Sequence, residues 1–155
     1  MLERCPNGDG GRLQRKKVSR TRNVAGHAFT AELSAQVCAT CGETYFADED
    51  VAQFDLRVAA RLVEAGVTEA EALKFMRKVT GLNGKEFAEL LEVRAETVSR
   101  WEQDKRPIDR ATYAIIRQLI FDRLHGGSGM ADFLRSMRKP KRLPRRVALD
   151  LHDAA

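Results

Sequence analysis

The stretch GLNGKEFAELLEVRAETVSRWEQDKRP, residues 81–107, decides the fold of this chain. Its first helix begins after Asn83, because Asn followed three residues later by Glu86 forms a capping box that satisfies two backbone N–H groups. The segment LEVRA then interrupts the helical periodicity and predicts a tight turn. After the turn, Val98 and Trp101 are spaced to face a core from a second short helix. The sequence therefore predicts two short helices joined by a tight turn.

The free face of the second helix carries small polar and basic residues, a pattern typical of a helix-turn-helix that enters a DNA major groove. Arg100 is the first choice for a contact to a base or a phosphate, and Lys85 and Lys105 are placed for phosphates. The full set of candidate DNA-binding residues is Asn83, Lys85, Arg94, Ala95, Glu96, Thr97, Ser99, Arg100, Lys105 and Arg106.

Helical patterns precede this unit. In ADEDVAQFDLRVAARLVEAG, apolar residues recur at helical spacing, acidic residues occupy the first turn, and Gly66 is a stop signal. The segment TEAE, residues 68–71, predicts a second capping box at the start of the next helix. Gly81 is placed to end that helix in a left-handed conformation.

Residues 70–125 resemble the XRE-type helix-turn-helix regulators related to phage repressors, through GLNGKEFAELLEV and ETVSRWEQDKRP in the family's order and spacing. The resemblance implies a lambda-repressor-like domain of five helices and an ion pair between Arg77 and Glu102. Two positions depart from the pattern. Glu92 stands where the turn usually has Gly, so a strained left-handed residue is expected there. Gly84 stands where the family usually has Gln, which removes a side chain that often contacts DNA.

The first 47 residues have a different pattern. Partial alternation from Arg12 to Val37, broken by NVAGHA, predicts a β-hairpin that leads into CATCGETYF. Large apolar residues are few, so a metal would help to hold this unit together. All three cysteines, Cys5, Cys38 and Cys41, lie here, and their odd number argues against a secreted disulfide framework.

The segments CPNGDGG, residues 5–11, and VCATCGETYF, residues 37–46, fused to the helix-turn-helix, resemble the MqsA/YgiT-type antitoxins. That resemblance implies a zinc module that contacts a toxin, usually an RNA-cleaving one, and a second module that dimerises and represses its own operon. The family's four-cysteine site corresponds here to Cys5, Gly8, Cys38 and Cys41. Three thiolates with Asp9 or water as the fourth ligand would still suit zinc. A site that binds no metal is the alternative.

Charge is distributed unevenly over a chain of net charge +5. Basic residues gather in RLQRKKVSRTR near the start and in RKPKRLPRR near the end, which favours a polyanionic partner. The acidic stretch between them contributes Asp48, Glu49, Asp50 and Asp55 without a compensating base, and it is expected to face a cationic toxin. The tail after GGSG is either a disordered basic segment with a nascent helix or an arm that follows DNA or docks a partner.

The pattern as a whole predicts a mainly α protein with a small N-terminal β module. The expected domains are a degenerate zinc-finger-like β-module (1–47), a connecting helix (48–67), the helix-turn-helix domain (68–125) and a flexible basic tail (126–155). No arrangement of Ser, Cys or His typical of an enzyme is recognisable, and no run of apolar residues is long enough to cross a membrane.

Two functions therefore remain open for a cytoplasmic protein. One is an antitoxin that is also an autorepressor, acting as a homodimer on palindromic operator DNA. The other is a stand-alone repressor without a toxin partner, with the cysteines as a metal or redox sensor.

Overall fold

The computed structural model describes residues 4–8, 10–140 and 142–148. Its chain forms a three-stranded antiparallel sheet followed by six helices within these residues, which confirms the predicted mainly α fold with a small N-terminal β module. The helices are α1 (Asp48–Glu64), α2 (Ala70–Val79), α3 (Gly84–Leu90), α4 (Ala95–Trp101), α5 (Arg110–Leu124) and α6 (Gly129–Met137).

A long β-hairpin makes up most of the sheet. Strands β1 (Leu13–Val24) and β2 (His27–Cys38) pair along their whole length, and β3 (Thr44–Phe46) adds to the other side of β2. The two-residue turn between β1 and β2 has positive φ at both positions, 48° at Ala25 and 76° at Gly26, which matches the twist of a hairpin. His27 therefore lies at the tip, roughly 35 Å from Cys38 at about 3.3 Å per residue.

The core joins the hairpin to the helices. Leu62, Met76 and Ile120 are among its most deeply buried side chains, and they come from α1, α2 and α5. Val24 and Leu33 of the hairpin belong to the same cluster. Helix α1 thus packs against α2 and α5 on one side and against β2 along the hairpin. Burial of this apolar surface against the helices stabilises a hairpin that is too small to stand alone.

The turn end of the hairpin is also held by polar contacts. Arg22 donates to both carboxylate oxygens of Asp55, at 2.9 and 2.7 Å, and lies over the ring of Phe75 at 5.9 Å from its centroid. The N–H of Ala25 donates to Glu71 at 2.9 Å. The predicted capping box at residues 68–71 is therefore wrong: α2 begins after Glu69 without a side-chain cap, and Glu71 binds the hairpin instead.

Helix α6 is a further difference from the expectation of a flexible tail from residue 126. Met130, Ala131 and Leu134 are half-buried against the core. The carboxylate of Asp122 accepts hydrogen bonds from the N–H of Met130 and from the amide of Gln118, both at 2.6 Å. The amphipathic spacing of the segment thus docks a helix on the chain's own core, which neither of the two predictions for the tail included.

Candidate functional site

The three cysteines form a compact cluster at the end of the hairpin opposite its turn. Cys38 is the last residue of β2, Cys41 lies in the turn that follows it, and Cys5 comes from the N-terminal loop. Their sulfur atoms all lie within 4.8 Å of one another, and Cys5 Sγ is 3.7 Å from Cys41 Sγ. Cys5 and Cys38 are buried, whereas Cys41 is exposed.

The backbone around Cys38 is arranged for an electron-rich sulfur. Its Sγ accepts hydrogen bonds from the N–H groups of Thr40, at 3.4 Å, and Cys41, at 3.5 Å. Gly42, at φ 74°, closes the turn by donating its N–H to the carbonyl of Cys38. N–H donors aimed at sulfur are common around metal-bound cysteines, and three cysteine sulfurs at this spacing suit a soft or borderline metal such as Zn²⁺. The donor set therefore fits zinc through three protein ligands.

Gly8 stands where the family resemblance implies a fourth cysteine. Its N–H donates to the carbonyl of Cys5 at 3.3 Å, and a Cβ built on it would meet nothing within 4 Å. Space for a side chain therefore exists, but φ is 72°, which strains any residue other than glycine. The predicted substitute ligand Asp9 lies outside the described residues. His27, the other side chain of the module that could bind zinc through nitrogen, is at the hairpin tip and therefore far from the cysteines.

Tyr45 is a member of this site that the sequence analysis missed. Its phenol oxygen lies 3.5 Å from Cys5 Sγ. The hydrogen bond with Cys5, burial, and the negative charges of Cys5, Cys41 and Glu43 raise the pKa of Tyr45 well above its ordinary value. Tyr45 pairs with Gln36, which lies on the same face of β2 as Cys38, and this register between two strands is not given by the local sequence pattern.

A second candidate site is the unit formed by α3, the turn after it and α4. Val98 and Trp101 fix the inner face of α4 in the core, at 2% and 4% exposure. Arg77 of α2 donates to both carboxylate oxygens of Glu102, at 2.5 and 3.1 Å, which confirms the ion pair expected from the resemblance. A third hydrogen bond joins Arg77 to the carbonyl of Leu82 at 3.0 Å. These contacts position α4 without using its outer face.

The turn of this unit has the strained residue that the family resemblance implied. Glu92 has φ 54°, and the N–H of Val93 donates to the carbonyl of Ala88 at 3.0 Å. The capping box at the start of α3 is also confirmed, with Asn83 accepting from the N–H of Glu86 and Glu86 accepting from the N–H of Asn83, both at 2.9 Å. Local hydrogen bonds therefore fix the backbone at the start of α3 and in the turn at its end.

Most of the candidate DNA-binding residues lie on α4 or beside it in sequence, whereas Asn83 and Lys85 lie at the start of α3. The cap oxygen of Asn83 is engaged at the start of α3, and Lys85 is exposed one residue after Gly84. Ser99 accepts a hydrogen bond from Gln103 at 2.8 Å. Of the other residues, Thr97 is half-buried and the following are exposed: Arg94, Ala95, Glu96, Arg100, Lys105 and Arg106.

The acidic segment at the start of α1 differs in one respect from its prediction. Asp55 pairs with Arg22, so the expectation that it lacks a compensating base is wrong. Asp48, Glu49 and Asp50 are exposed in the first turn of α1. Glu49 and Asp50 line an open cavity of about 480 Å³ together with Arg15, Ser34, Ala35, Gln36, Tyr45, Phe46 and Ala47. The exposed acidic surface thus adjoins the cysteine end of the sheet.

Comparison with known proteins adds one finding to this geometry. A family model described as the antitoxin component of a bacterial toxin-antitoxin system, MqsA, matches residues 3–125. No curated protein matches the chain. Within the described residues, none of the helices has the length and apolar character needed to cross a membrane.

Proposed function

The chain belongs to the MqsA antitoxin family, and on that basis we propose that it is the antitoxin of a type II toxin-antitoxin pair. In this proposal it neutralises an RNA-cleaving toxin and represses its own operon by binding palindromic DNA as a homodimer. Both roles are binding roles in the cytoplasm and need no catalysis by this chain. In this proposal the α3–turn–α4 unit binds DNA, and the acidic surface at the start of α1 binds the toxin.

The position of α4 is the observation that carries the DNA-binding role. Its inner face is fixed by Val98, Trp101 and the Arg77–Glu102 pair, so its outer face is preorganised for a groove. Arg100 on that face is the proposed base contact, because a guanidinium matches the two acceptors that guanine presents in the major groove. The basic residues around α4 then bind phosphates and set its orientation.

The cysteine cluster supports a structural metal. We propose that Cys5, Cys38 and Cys41 hold zinc, with a fourth ligand from Asp9 or water. The N–H donors to Cys38 and the phenol of Tyr45 beside Cys5 are outer-sphere partners of the kind that orient metal ligands. Such a metal would fix the N-terminal loop against the end of β2, where little apolar surface is available.

The acidic surface at Asp48, Glu49 and Asp50 is the proposed toxin contact. An enzyme that cleaves RNA must bind a polyanion, so a cationic surface is expected on it. Complementary charge steers such a partner to the start of α1. Charge-reversing substitutions at these three residues test this contact without disturbing the fold. Deleting residues 1–66 would instead expose the shared core, to which α1 contributes Val58, Ala59 and Leu62.

Co-expression tests the proposal. The product of the reading frame that adjoins this one should co-purify with the wild type, and the triple variant Asp48→Lys, Glu49→Lys, Asp50→Lys should lose it while still binding operator DNA. A control that reverses three exposed charges elsewhere, Glu64→Lys, Glu69→Lys and Glu89→Lys, should keep the partner. A wild-type protein that binds operator DNA but has no partner would contradict the antitoxin role and favour the stand-alone repressor.

A further inference from the structure

The end of α6 lies at a defined place on the protein. Asp122 fixes the first turn of α6, and Ser128 donates to Asp132 at 2.5 Å beside it. The helix then passes along α3. Arg138, the residue after the helix, has its Nε 3.9 Å from a carboxylate oxygen of Glu92 in the turn before α4. The chain therefore leaves α6 next to the unit proposed to read DNA.

An acidic edge lies at this point. Glu86 and Glu89 of α3 and Glu92 of the turn are exposed, and on their own they would repel phosphates near α4. Arg135 and Arg138 line the same groove as Glu86 and Glu89, so α6 supplies positive charge to this edge. The Arg138–Glu92 pair is too exposed, at 42% and 67%, to add much stability. Its main effect is to make the electrostatic potential at this acidic edge less negative.

The segment after α6 extends this positive charge. It reads RKPKRLPRR over residues 138–146, without an acidic residue, and Lys139, Arg142, Arg145 and Arg146 are exposed. Within the described part, residues 140–148 form no helix or strand. Pro140 and Pro144 favour extended backbone at their own positions and at the residue before each, and neither can continue a helix. At about 3.1 Å per residue in an extended conformation, the segment would reach over several phosphates, which follow one another at about 3.4 Å along the helix axis on each DNA strand.

We propose that residues 138–146 are a second DNA-binding element, which follows the phosphate backbone beside the half-site read by α4. This inference rests on the proposed operator binding. The segment lies outside the family match, which ends at residue 125, so it adds to the shared fold. A cationic toxin would be repelled by it, which favours DNA as its partner. Because phosphates carry no sequence information, the segment raises affinity for all duplexes equally.

The test neutralises the segment in the full chain, with Lys139→Gln, Arg142→Gln, Arg145→Gln and Arg146→Gln. A matched control removes the same charge from β1 and α1, with Lys16→Gln, Lys17→Gln, Arg57→Gln and Arg61→Gln, all of them exposed. The probes are a duplex from the region upstream of the chain's own coding sequence and a scrambled duplex of equal length. Binding to each is titrated over a range of salt concentrations.

The tail variant should lose affinity by about 10- to 100-fold on both duplexes. The slope of log K against log salt should become less negative by up to about 3 to 4, because each lost phosphate contact removes about 0.9 from it. The control should keep the wild-type salt dependence. An equal change in both variants would overturn the inference in favour of net charge alone. Unchanged DNA binding with loss of the co-purified toxin would overturn it in favour of a protein partner.

The outcome also separates this inference from the proposed function. If the wild type selects its own upstream duplex and the tail variant binds both duplexes as the wild type does, the inference is wrong and operator binding stands. If the wild type shows no preference between the two duplexes, operator binding itself is wrong, and the inference is overturned with it.

Discussion

Arg22 donates to both carboxylate oxygens of Asp55, at 2.9 and 2.7 Å, and so ties β1 to α1. The pair is only partly exposed, with side chains at 33% and 19%, which places it between surface and buried ion pairs in strength. It lies near the hairpin tip, far from the cysteines. The hairpin is therefore held at its turn end by the helices, independently of a metal at its other end.

Replacing Asp55 by Asn should lower the free energy of unfolding by about 1 to 2 kcal/mol, because Arg22 loses a charged, two-point partner. Urea denaturation measures the change. The matched control is Glu64→Gln, which breaks the exposed Arg61–Glu64 pair and should cost less than about 0.5 kcal/mol. Equal losses in the two variants would show that the Arg22–Asp55 pair does not hold the hairpin.

Glu102→Gln should have a larger effect on stability, about 3 kcal/mol, because it leaves the guanidinium of Arg77 buried without its counter-charge. Both side chains of the pair are nearly buried, at 12% and 13% exposure. Denaturant titration should detect the loss, while the fraction of protein that stays folded should bind operator DNA with wild-type affinity. A loss of DNA affinity without a loss of stability would mean that Glu102 has a direct role at the DNA.

Gly8→Cys should raise the affinity for zinc by supplying a fourth thiolate, although a left-handed residue other than glycine costs about 1 to 2 kcal/mol. Competition with a chelator measures the affinity. The control Gly8→Ser has the same backbone strain without a thiolate, so it should bind zinc no more tightly than the wild type. If Gly8→Cys behaves like Gly8→Ser, the three cysteines and Gly8 do not surround one metal site.

Removal of the metal should affect the two ends of the hairpin differently. Hydrogen exchange after chelation should increase around Cys5, Cys38 and Cys41, where the metal would hold the loops together. Exchange near Val24 and His27 should change little, since Arg22, Glu71 and the core hold that end. Uniform loss of protection along both strands would contradict the proposal that the metal holds only the cysteine end of the hairpin.

The cap of α5 gives a pH-dependent prediction. Hydrogen bonds from the hydroxyl and the N–H of Thr112 lower the pKa of Asp109 below its ordinary value of 3.8. A lowered pKa contributes stability at pH values above 3.8, and this contribution is lost as the pH falls through the lowered value. Asp109→Asn keeps a cap but has no charge, so its stability relative to the wild type should improve below pH 4. A constant difference from pH 7 to pH 3 would contradict this.

Local patterns predicted the α3–turn–α4 unit well, because its determinants lie within a few residues of one another. The Asn83–Glu86 capping box and the buried Val98 and Trp101 are confirmed, and so is the left-handed Glu92, which the family resemblance implied. The inner face of α3 follows its helical spacing less closely at its end, where Leu90 is buried and Leu91 is only half-buried. The roles of the exposed residues of α4 stay predictions.

Contacts between distant segments were out of reach of such patterns. Glu71 has the spacing of a capping residue, yet it accepts the N–H of Ala25 because the hairpin packs on α2. Tyr45 joins Cys5 through the pairing of β3 with β2. In both cases the partner comes from a distant segment, so it is determined by how the segments pack and not by the local sequence.

Operator binding by Arg100→Ala tests the central claim most directly. In a mobility-shift titration at physiological salt, the variant should bind the duplex from its own upstream region about 5- to 100-fold more weakly than the wild type, the loss expected for one base contact of about 1 to 3 kcal/mol. Arg61→Ala, on the exposed face of α1, should bind as the wild type does. Unchanged binding by Arg100→Ala would contradict the claim that α4 reads the operator.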